Sequence, residues 1–126
     1  MLKENLPTKR VVIAGCRNYN NYIEAEKYID ICLMNLKEKC NIIIVSGGST
    51  GADALGERYA KEKGFEVERY PADWDTFGVS AGPIRNRQMA EVADYVICFW
   101  DGNSRGTKSM IDFAEKYDKP IKVKMI

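Results

Sequence analysis

The sequence predicts an α/β fold built around a five-stranded parallel sheet, and two patterns along the chain support that prediction. Five short runs rich in β-branched residues alternate with amphipathic helical patterns, as in repeated strand–helix units. The second and fourth runs are almost wholly apolar, which is typical of strands covered on both faces, whereas the third and fifth contain charges and are predicted at the edges. The runs lie at residues 11–14, 42–45, 66–70, 95–99 and 121–123.

Four helical patterns lie between these strands, each defined by apolar residues three and four positions apart. The first is predicted to run for about four turns, and its markers are Tyr22, Ala25, Ile29, Cys32 and Leu36. The second is predicted to end at Gly64, and Pro120 lies beyond the end of the fourth. The remaining markers are Leu55 and Tyr59 in the second helix, Met89 and Val92 in the third, and Thr107, Met110, Ile111 and Ala114 in the fourth.

Right-handed crossovers between these units give a Rossmann-like doubly wound sheet with the strand order 3-2-1-4-5 and helices on both faces. That order reverses between strands 1 and 4, and ligands bind at such a switch point, outside the carboxyl ends of the strands. The turns after strands 1, 2 and 4 meet there and hold six of the ten glycines: Gly15, Gly47, Gly48, Gly51, Gly102 and Gly106. The sequence therefore predicts a ligand site at this edge of the sheet.

The composition of the 126-residue chain is that of one globular domain, and we expect residues 1–126 to form it. No apolar run approaches the roughly 18 residues that span a bilayer, and the first ten residues, MLKENLPTKR, lack the apolar stretch of a secretory signal. A cytoplasmic location is therefore expected. The formal charge of +1 argues against a protein that coats nucleic acid, because such proteins carry a basic excess.

The chain contains no histidine, which removes the usual general base near pH 7 and the commonest zinc ligand. Its four cysteines form no C-x-x-C pair and no zinc-like spacing, so we expect them to be reduced. No metal and no other cofactor is predicted. Any catalysis would have to use carboxylates, arginine, backbone amides or a bound cation.

The turn after the second strand, SGGSTG at residues 46–51, is the first candidate for a phosphate-binding turn. Its glycines allow backbone N–H groups to converge next to a helix N-terminus, an arrangement that favours anions. It lacks the lysine of a Walker A loop. The alternative is a tight turn that needs glycine for a positive φ. The candidate ligand-binding residues are Gly47, Gly48, Ser49, Thr50 and Gly51.

Two charged positions next to these turns are further candidates. Asp53 lies in the first turn of the second helix, where it either complements the helix dipole or contacts ribose hydroxyls and orients a loop. Arg85 and Asn86 follow Gly82-Pro83 and are predicted to open the third helix, where an arginine favours an anionic partner. A solvent-exposed surface arginine is the alternative for Arg85.

The turns after strands 1 and 4 supply the remaining polar candidates. Gly15 and Arg17 follow the first strand, and Arg17 is predicted over the ligand. After the fourth strand, Asp101 precedes a second phosphate-binding turn formed by Gly106 and Thr107, with Thr107 as a natural helix N-cap. Arg105 is interpreted either as a phosphate clamp or as an exposed side chain.

The stretch from residue 71 to residue 82 is long for a strand–helix connection and is therefore interpreted as a functional loop. It contains Gly78 and Gly82 together with Trp74 and Phe77. An aromatic ring in such a loop can stack on a base, with Trp74 as the main candidate. The alternative is that both rings fill a gap above the edge of the sheet.

Four motifs in this order resemble the YspA-like, YpsA-related branch of the SLOG superfamily. They are GCR after the first strand, SGGSTGADAL after the second, ADW…AGPIRNRQM in the loop and third helix, and FWDGNSRGT after the fourth strand. The resemblance spans roughly residues 10–114 and implies a Rossmann-like domain for nucleotide-derived ligands. Related proteins include the LONELY GUY phosphoribohydrolases and DNA-processing protein A. Residues that match the motifs are Gly47, Gly48, Gly51, Arg85, Asn86, Gly106 and Thr107.

One departure from the related hydrolases bears on activity. The phosphoribohydrolase pattern is G-G-x-G-T-x-x-E, and its glutamate falls on Met110 here, while its first glycine pair is Asn103-Ser104. A methionine cannot stabilise an oxocarbenium ion or activate water. The resemblance therefore implies nucleotide binding more strongly than hydrolysis.

The favoured hypothesis is a module that senses or sequesters a phosphorylated nucleotide-derived molecule, such as an ADP-ribose-like or cyclic nucleotide species. The alternative is an enzyme that cleaves an N-glycosidic or phosphate bond, with Asp53, Asp101 or Asp75 as the carboxylate. A third hypothesis is a single-stranded nucleic-acid binder, which the near-neutral charge disfavours. The resemblance also implies a homo-oligomer.

Overall fold

A computed structural model of the chain describes residues 5–126 and has five parallel strands in the order β3-β2-β1-β4-β5. Both the strand order and the α/β class confirm the sequence-based prediction. The strands are β1 (Thr8–Gly15), β2 (Asn41–Ser46), β3 (Glu66–Arg69), β4 (Tyr95–Trp100) and β5 (Ile121–Met125). The order reverses between β1 and β4, so the switch point lies at their carboxyl ends.

The three central strands are buried, and the two charged strands lie at the edges as expected. In β1, Val12 aligns with Val45 of β2 and Val96 of β4, and all three side chains have no exposed surface. Every residue of β2 is buried, which fits a strand covered on both faces. The charged residues of β3 and β5 are found at the edges because only an edge strand leaves part of its surface in water.

The helices lie on both faces of the sheet. Their bounds are α1 (Tyr22–Leu33), α2 (Leu36–Lys39), α3 (Ala52–Lys63), α4 (Trp74–Phe77), α5 (Ala81–Val92) and α6 (Arg105–Lys116), and a 3₁₀ turn covers Gly78–Ser80. On one face, Val11 and Ile13 of β1 pack in a core with α1 and α3. On the other face, Val12 and Ala14 pack with α5 and α6. Successive residues of β1 thus face opposite layers.

Two predicted segments differ from the observed ones. The first helix is interrupted after Leu33, and Leu36 begins the separate short helix α2. The stretch at residues 71–82 is not irregular throughout, because it contains α4 and the 3₁₀ turn. Among residues 5–126, no helix has the length and apolar character needed to cross a membrane.

The start of α5 also differs from the prediction. The helix begins at Ala81, so Gly82 and Pro83 are part of its first turn and Arg85 lies in the second turn. Proline is tolerated there because the first N–H groups of a helix need no partner within the helix. Arg85 is therefore not a residue at the helix start, and the dipole-based reason for expecting an anion next to it does not apply.

Gly51 shows why glycine is needed between β2 and α3. Its φ is +74°, and a Cβ at this position would lie 2.3 Å from the Cys16 carbonyl oxygen and 2.4 Å from the Arg17 carbonyl oxygen. The turn packs this tightly because the Ala52 N–H donates to the Cys16 carbonyl at 3.1 Å and the Thr50 hydroxyl donates to the Arg17 carbonyl at 3.2 Å. The turns after β1 and β2 are thereby joined.

Replacing Gly51 by alanine should destabilise the fold by about 2 kcal/mol or more, since it adds a backbone collision to an unfavourable φ. Gly106→Ala is the matched control, because a Cβ at position 106 meets no atom within 4 Å and the residue is helical. Its effect should be neutral or stabilising by up to about 1 kcal/mol. Urea unfolding of both variants measures the difference, and equal free energies of unfolding would contradict the packing described for Gly51.

Candidate functional site

A cavity of about 540 Å³ lies at the carboxyl ends of the strands, between the turns that follow β1 and β4. This is the position predicted from the strand order. The turn after β1, the N-terminal parts of α3 and α5, the segment 101–110 and Trp74 line it. The predicted residues in its lining are Gly15, Arg17, Ser49, Asp53, Trp74, Arg85, Asn86, Asp101, Arg105, Gly106 and Thr107.

Four predicted binding residues lie outside that lining: Gly47, Gly48, Thr50 and Gly51. Two N–H groups of this turn donate to the protein itself. The Gly48 N–H donates to the Ser46 hydroxyl at 3.0 Å, and the Ser49 N–H donates to Asp53 Oδ2 at 3.2 Å. These two N–H groups already have acceptors and are not free for a phosphate.

Gly47 allows the buried Arg85 to contact this turn. Arg85 is 7% exposed, and its Nη1 donates to the Gly47 carbonyl at 2.6 Å and to the Tyr70 carbonyl at 3.3 Å. A Cβ at position 47 would lie 2.4 Å from Arg85 Nη1 and 2.8 Å from Asp53 Oδ2. The guanidinium group therefore connects α5 to the turn after β2, and it does so through carbonyl oxygens of the protein.

Asp53 is the buried acid of the cavity, with 6% of its surface exposed. Burial raises the pKa of its carboxyl group to about 6, and the like charge of Glu57 acts in the same direction. The Ser49 N–H, Arg85 and Arg17 favour the ionised form and oppose that increase. Asp53 is thus a carboxyl group that titrates close to neutral pH.

The turn after β4 is organised by Asp101 and Ser104. Asp101 Oδ1 accepts hydrogen bonds from the N–H groups of Asn103 and Ser104, both at 2.8 Å, and these bonds lower the pKa of the Asp101 carboxyl group. Ser104 is the N-cap of α6, since its hydroxyl accepts from the Thr107 N–H at 3.3 Å. Thr107 was the expected N-cap, but the helix begins two residues earlier, at Arg105.

The first two N–H groups of α6 remain free on the cavity side. The intrahelical bonds begin with the Lys108 N–H, which donates to the Ser104 carbonyl at 3.1 Å. The N–H groups of Arg105 and Gly106 have no acceptor among residues 5–126, and both residues line the cavity. Because Gly106 carries no side chain, its backbone is open to a ligand.

Arg17 and Arg105 are the exposed cations of the cavity. Neither forms an ion pair with a carboxylate within the described part of the chain. Asn86 fixes the neighbouring backbone, because its Nδ2 donates to the Gly106 carbonyl at 3.2 Å and to the Ser109 hydroxyl at 3.5 Å. The start of α6 is therefore held from α5 while its N–H groups stay free.

The two aromatic rings of α4 differ in their relation to the cavity. Trp74 lines the cavity and is 50% exposed, whereas Phe77 is 48% exposed and lies outside the lining. The Trp74 ring packs near Gly82, since a Cβ there would lie 3.5 Å from Trp74 Cη2. Asp75, on the same helix, is exposed and lies outside the cavity lining.

Several lining residues were not predicted as ligand-binding residues. They are Ala14, Cys16, Asn18, Gly82, Pro83, Met89, Ser104, Ser109 and Met110. Asn18 lies in the turn after β1 that already contained two candidates, so its position was the available signal. Met110 had a signal, because the glutamate of the resembling hydrolase pattern falls on it. Ser109 carries no local signal, because the face of α6 that meets the cavity depends on how the helix packs against the sheet.

Comparison with known proteins places the chain in a family. Residues 9–77 match the model of the YspA, cpYpsA-related SLOG family. The chain belongs to this family. The resemblance noted in the motifs is therefore confirmed. The gene 61 protein of Mycobacterium phage D29 is a relative with 36% identity over 86 residues, which are 64% of this SLOG chain and 69% of the phage protein.

Two solved structures show the same fold. DNA processing protein A from Streptococcus pneumoniae superposes with a TM-score of 0.68 and 18% identity, covering 94% of this chain and 50% of that one. The Helicobacter pylori protein, whose single-stranded DNA binding mode has been studied structurally, has a TM-score of 0.60 and 24% identity, covering 94% and 66%. The SLOG chain thus spans only half to two thirds of these neighbours.

The buried acid should make stability depend on pH. Between the ordinary pKa of 3.8 and the folded-state pKa of about 6, Asp53 holds a proton in the folded state that the unfolded state has lost, so stability falls as the pH rises through this window. Relative to Asp53→Asn, the wild type should lose about 2 kcal/mol between pH 4 and pH 7. Urea unfolding of both proteins from pH 4 to pH 7 measures this loss. A difference in their free energies of unfolding that stays constant with pH would contradict a raised pKa of Asp53.

Proposed function

We propose that this SLOG protein binds a phosphorylated nucleotide-derived small molecule and acts by sensing or sequestering it. The observation that carries the proposal is the open N-terminus of α6, where Arg105 and Gly106 line the cavity and their N–H groups have no acceptor in residues 5–126. Free N–H groups at a helix N-terminus bind phosphate through hydrogen bonds and through the positive end of the helix dipole.

The surrounding side chains support an anion at this position. Arg17 and Arg105 lie on the cavity lining without ion-pair partners among the described residues. A guanidinium group offers paired donors that match the geometry of a phosphate. Together with the helix N-terminus, these groups give one wall of the cavity an excess of hydrogen-bond donors.

The rest of the cavity suits the nucleoside part of such a ligand. A volume of about 540 Å³ lies within the roughly 300–1,000 Å³ range of small-molecule sites. Half-exposed Trp74 at the rim offers an aromatic face on which a base can stack. The phosphate and the base would then occupy opposite ends of one cavity.

Gly106→Asp should weaken nucleotide binding at least tenfold, since it places a carboxylate beside the proposed phosphate. The fold should tolerate the change, because a Cβ at position 106 meets no atom within 4 Å and an acidic residue favours a helix start. Ile23→Asp is the matched control, since Ile23 is the second residue of α1, as Gly106 is of α6, is 69% exposed and lies outside the cavity.

The measurement is the melting temperature of each protein with nucleoside monophosphates, cyclic nucleotides and ADP-ribose. Ligand at 100 times Kd adds about 2.7 kcal/mol, which shifts the melting temperature by several degrees. We expect a shift in the wild type and in Ile23→Asp, and a much smaller one in Gly106→Asp. Equal shifts in all three proteins would contradict binding at the start of α6.

A nucleotide hydrolase is the second candidate, and one observation favours it. Asp53 lines the cavity and titrates near pH 6, which suits a general acid or base. Against it, Met110 occupies the position of the catalytic glutamate in the resembling hydrolase pattern. Chromatography of the same mixtures separates the two functions, because intact ligand supports sensing or sequestration and a released base or phosphate supports hydrolysis.

Single-stranded nucleic acid is the third candidate, favoured by the fold shared with DNA processing protein A. The formal charge of +1 disfavours it. Oligonucleotide titrations at two salt concentrations test it, since binding through several phosphates weakens steeply with salt.

We also propose that the chain acts as one domain that self-associates. Sedimentation velocity measures this self-association.

A further inference from the structure

Asp53 presents one free carboxylate oxygen to the cavity. Its Oδ2 accepts from the Ser49 N–H at 3.2 Å, while Oδ1 has no donor among the described residues. No side-chain oxygen or nitrogen that is fully buried in the described part of the chain lacks a partner, so Oδ1 is not sealed from the cavity. A side chain that is 6% exposed thus keeps an open acceptor on the cavity wall.

We propose that Asp53 is a specificity-determining residue, and that Oδ1 accepts a hydrogen bond from the vicinal hydroxyl pair of the ligand's ribose. The inference rests on the proposed function and deepens it, because it assigns a chemical group to a second wall of the same cavity. An acidic acceptor at this place selects ligands with a hydrogen-bond donor and rejects those with an anion.

The backbone N–H groups around the cavity support placing the phosphate at the start of α6 and the ribose at Asp53. The Arg105 and Gly106 N–H groups at the start of α6 have no acceptor among residues 5–126. In the turn next to Asp53, the Gly48 and Ser49 N–H groups already donate to protein oxygens. A phosphate is therefore favoured at α6, whereas a second phosphate beside Asp53 would meet its carboxylate and the Gly48 and Ser49 amides that already donate to protein oxygens. The hydroxyl groups of a ribose suit that position.

The charges around Asp53 set its response to pH. Arg85 of α5 and Arg17 of the turn after β1 favour its ionised form, and Glu57 of α3 disfavours it. On β4, burial raises the pKa of the Cys98 thiol to about 12, so that group stays neutral. At pH 7.5 Asp53 is mainly ionised and is a strong acceptor, and at pH 5 it is mainly protonated.

The charge of the Asp53 carboxylate determines how ribose binding should depend on pH. A ribose hydroxyl that donates to the ionised carboxylate lowers the pKa of Asp53, so binding of a diol releases protons near pH 6. The advantage of a ribose over a dideoxyribose should consequently grow as the pH rises from 5 to 7.5. An anion beside Asp53 would have the opposite effect, because it would favour the protonated carboxyl group.

The test compares adenosine 5′-monophosphate with 2′,3′-dideoxyadenosine 5′-monophosphate by calorimetry at pH 5, 6 and 7.5. The two probes carry the same phosphate, so its own titration cancels in the ratio of their Kd values. In the wild type we expect the dideoxy probe to bind about tenfold more weakly at pH 7.5, which corresponds to one charge-assisted hydrogen bond. At pH 5 the ratio should be several times smaller.

Asp53→Asn should reduce this ratio and make it independent of pH, since asparagine keeps the shape and loses the titration. Asp118→Asn is the matched control, because Asp118 is exposed, lies outside the cavity and has a φ of +55° that asparagine accepts. It should behave as the wild type. The difference in proton release between the ribose and dideoxyribose probes on the wild type, measured in two buffers, gives the result even if Asp53→Asn does not fold.

The outcomes separate the two proposals. Equal Kd values for both probes at every pH, or no greater proton release with the ribose probe than with the dideoxy probe, would overturn the assignment of Asp53 and leave nucleotide binding standing. An unchanged pH-dependent ratio in folded Asp53→Asn would also overturn it. If neither probe binds at any pH, the assignment of Asp53 falls, and the rest of the nucleotide panel decides whether the proposed function falls with it.

Discussion

The site depends on the buried guanidinium group of Arg85. A buried cation requires acceptors, and Arg85 finds them in the Gly47 and Tyr70 carbonyl oxygens and in Asn86 Oδ1. This contact is possible only because Gly47 lacks a Cβ. Asn86 then donates to the Gly106 carbonyl, so two successive residues of α5 hold both glycine-rich turns, one on either side of the switch point.

The two turns consequently differ in what they offer a ligand. The turn after β2 is bonded to side chains of the same segment and to the turn after β1. Its glycines allow the backbone to pack closely against other parts of the same chain. The turn after β4 is capped by Ser104 but leaves two N–H groups at the cavity. One wall thus attracts anions, whereas the wall at Asp53 offers an acceptor. A ligand with phosphate at one end and hydroxyls at the other fits this polarity.

The sheet could be predicted from sequence because its evidence is local: apolar strands, charged edges and glycines at their carboxyl ends. The start of α5 and the role of Gly47 could not be predicted from the sequence. Gly82-Pro83 suggested a break before a helix, but proline is accepted in a first turn, so α5 begins at Ala81. Whether Gly47 serves a ligand or a protein group depends on Arg85, which lies 38 residues further along the chain. No pattern of short range carries that information.

The most direct test of the central claim is the amide NMR spectrum of the ¹⁵N-labelled protein during titration with a nucleotide that raises its melting temperature. Our account predicts that the largest shifts belong to the Arg105 and Gly106 N–H groups, because these donors lie where the phosphate is proposed to bind and have no acceptor among residues 5–126. The Gly48 and Ser49 amides should move much less, because they already have acceptors. Shifts concentrated at Gly48 and Ser49, with Gly106 unaffected, would contradict the account.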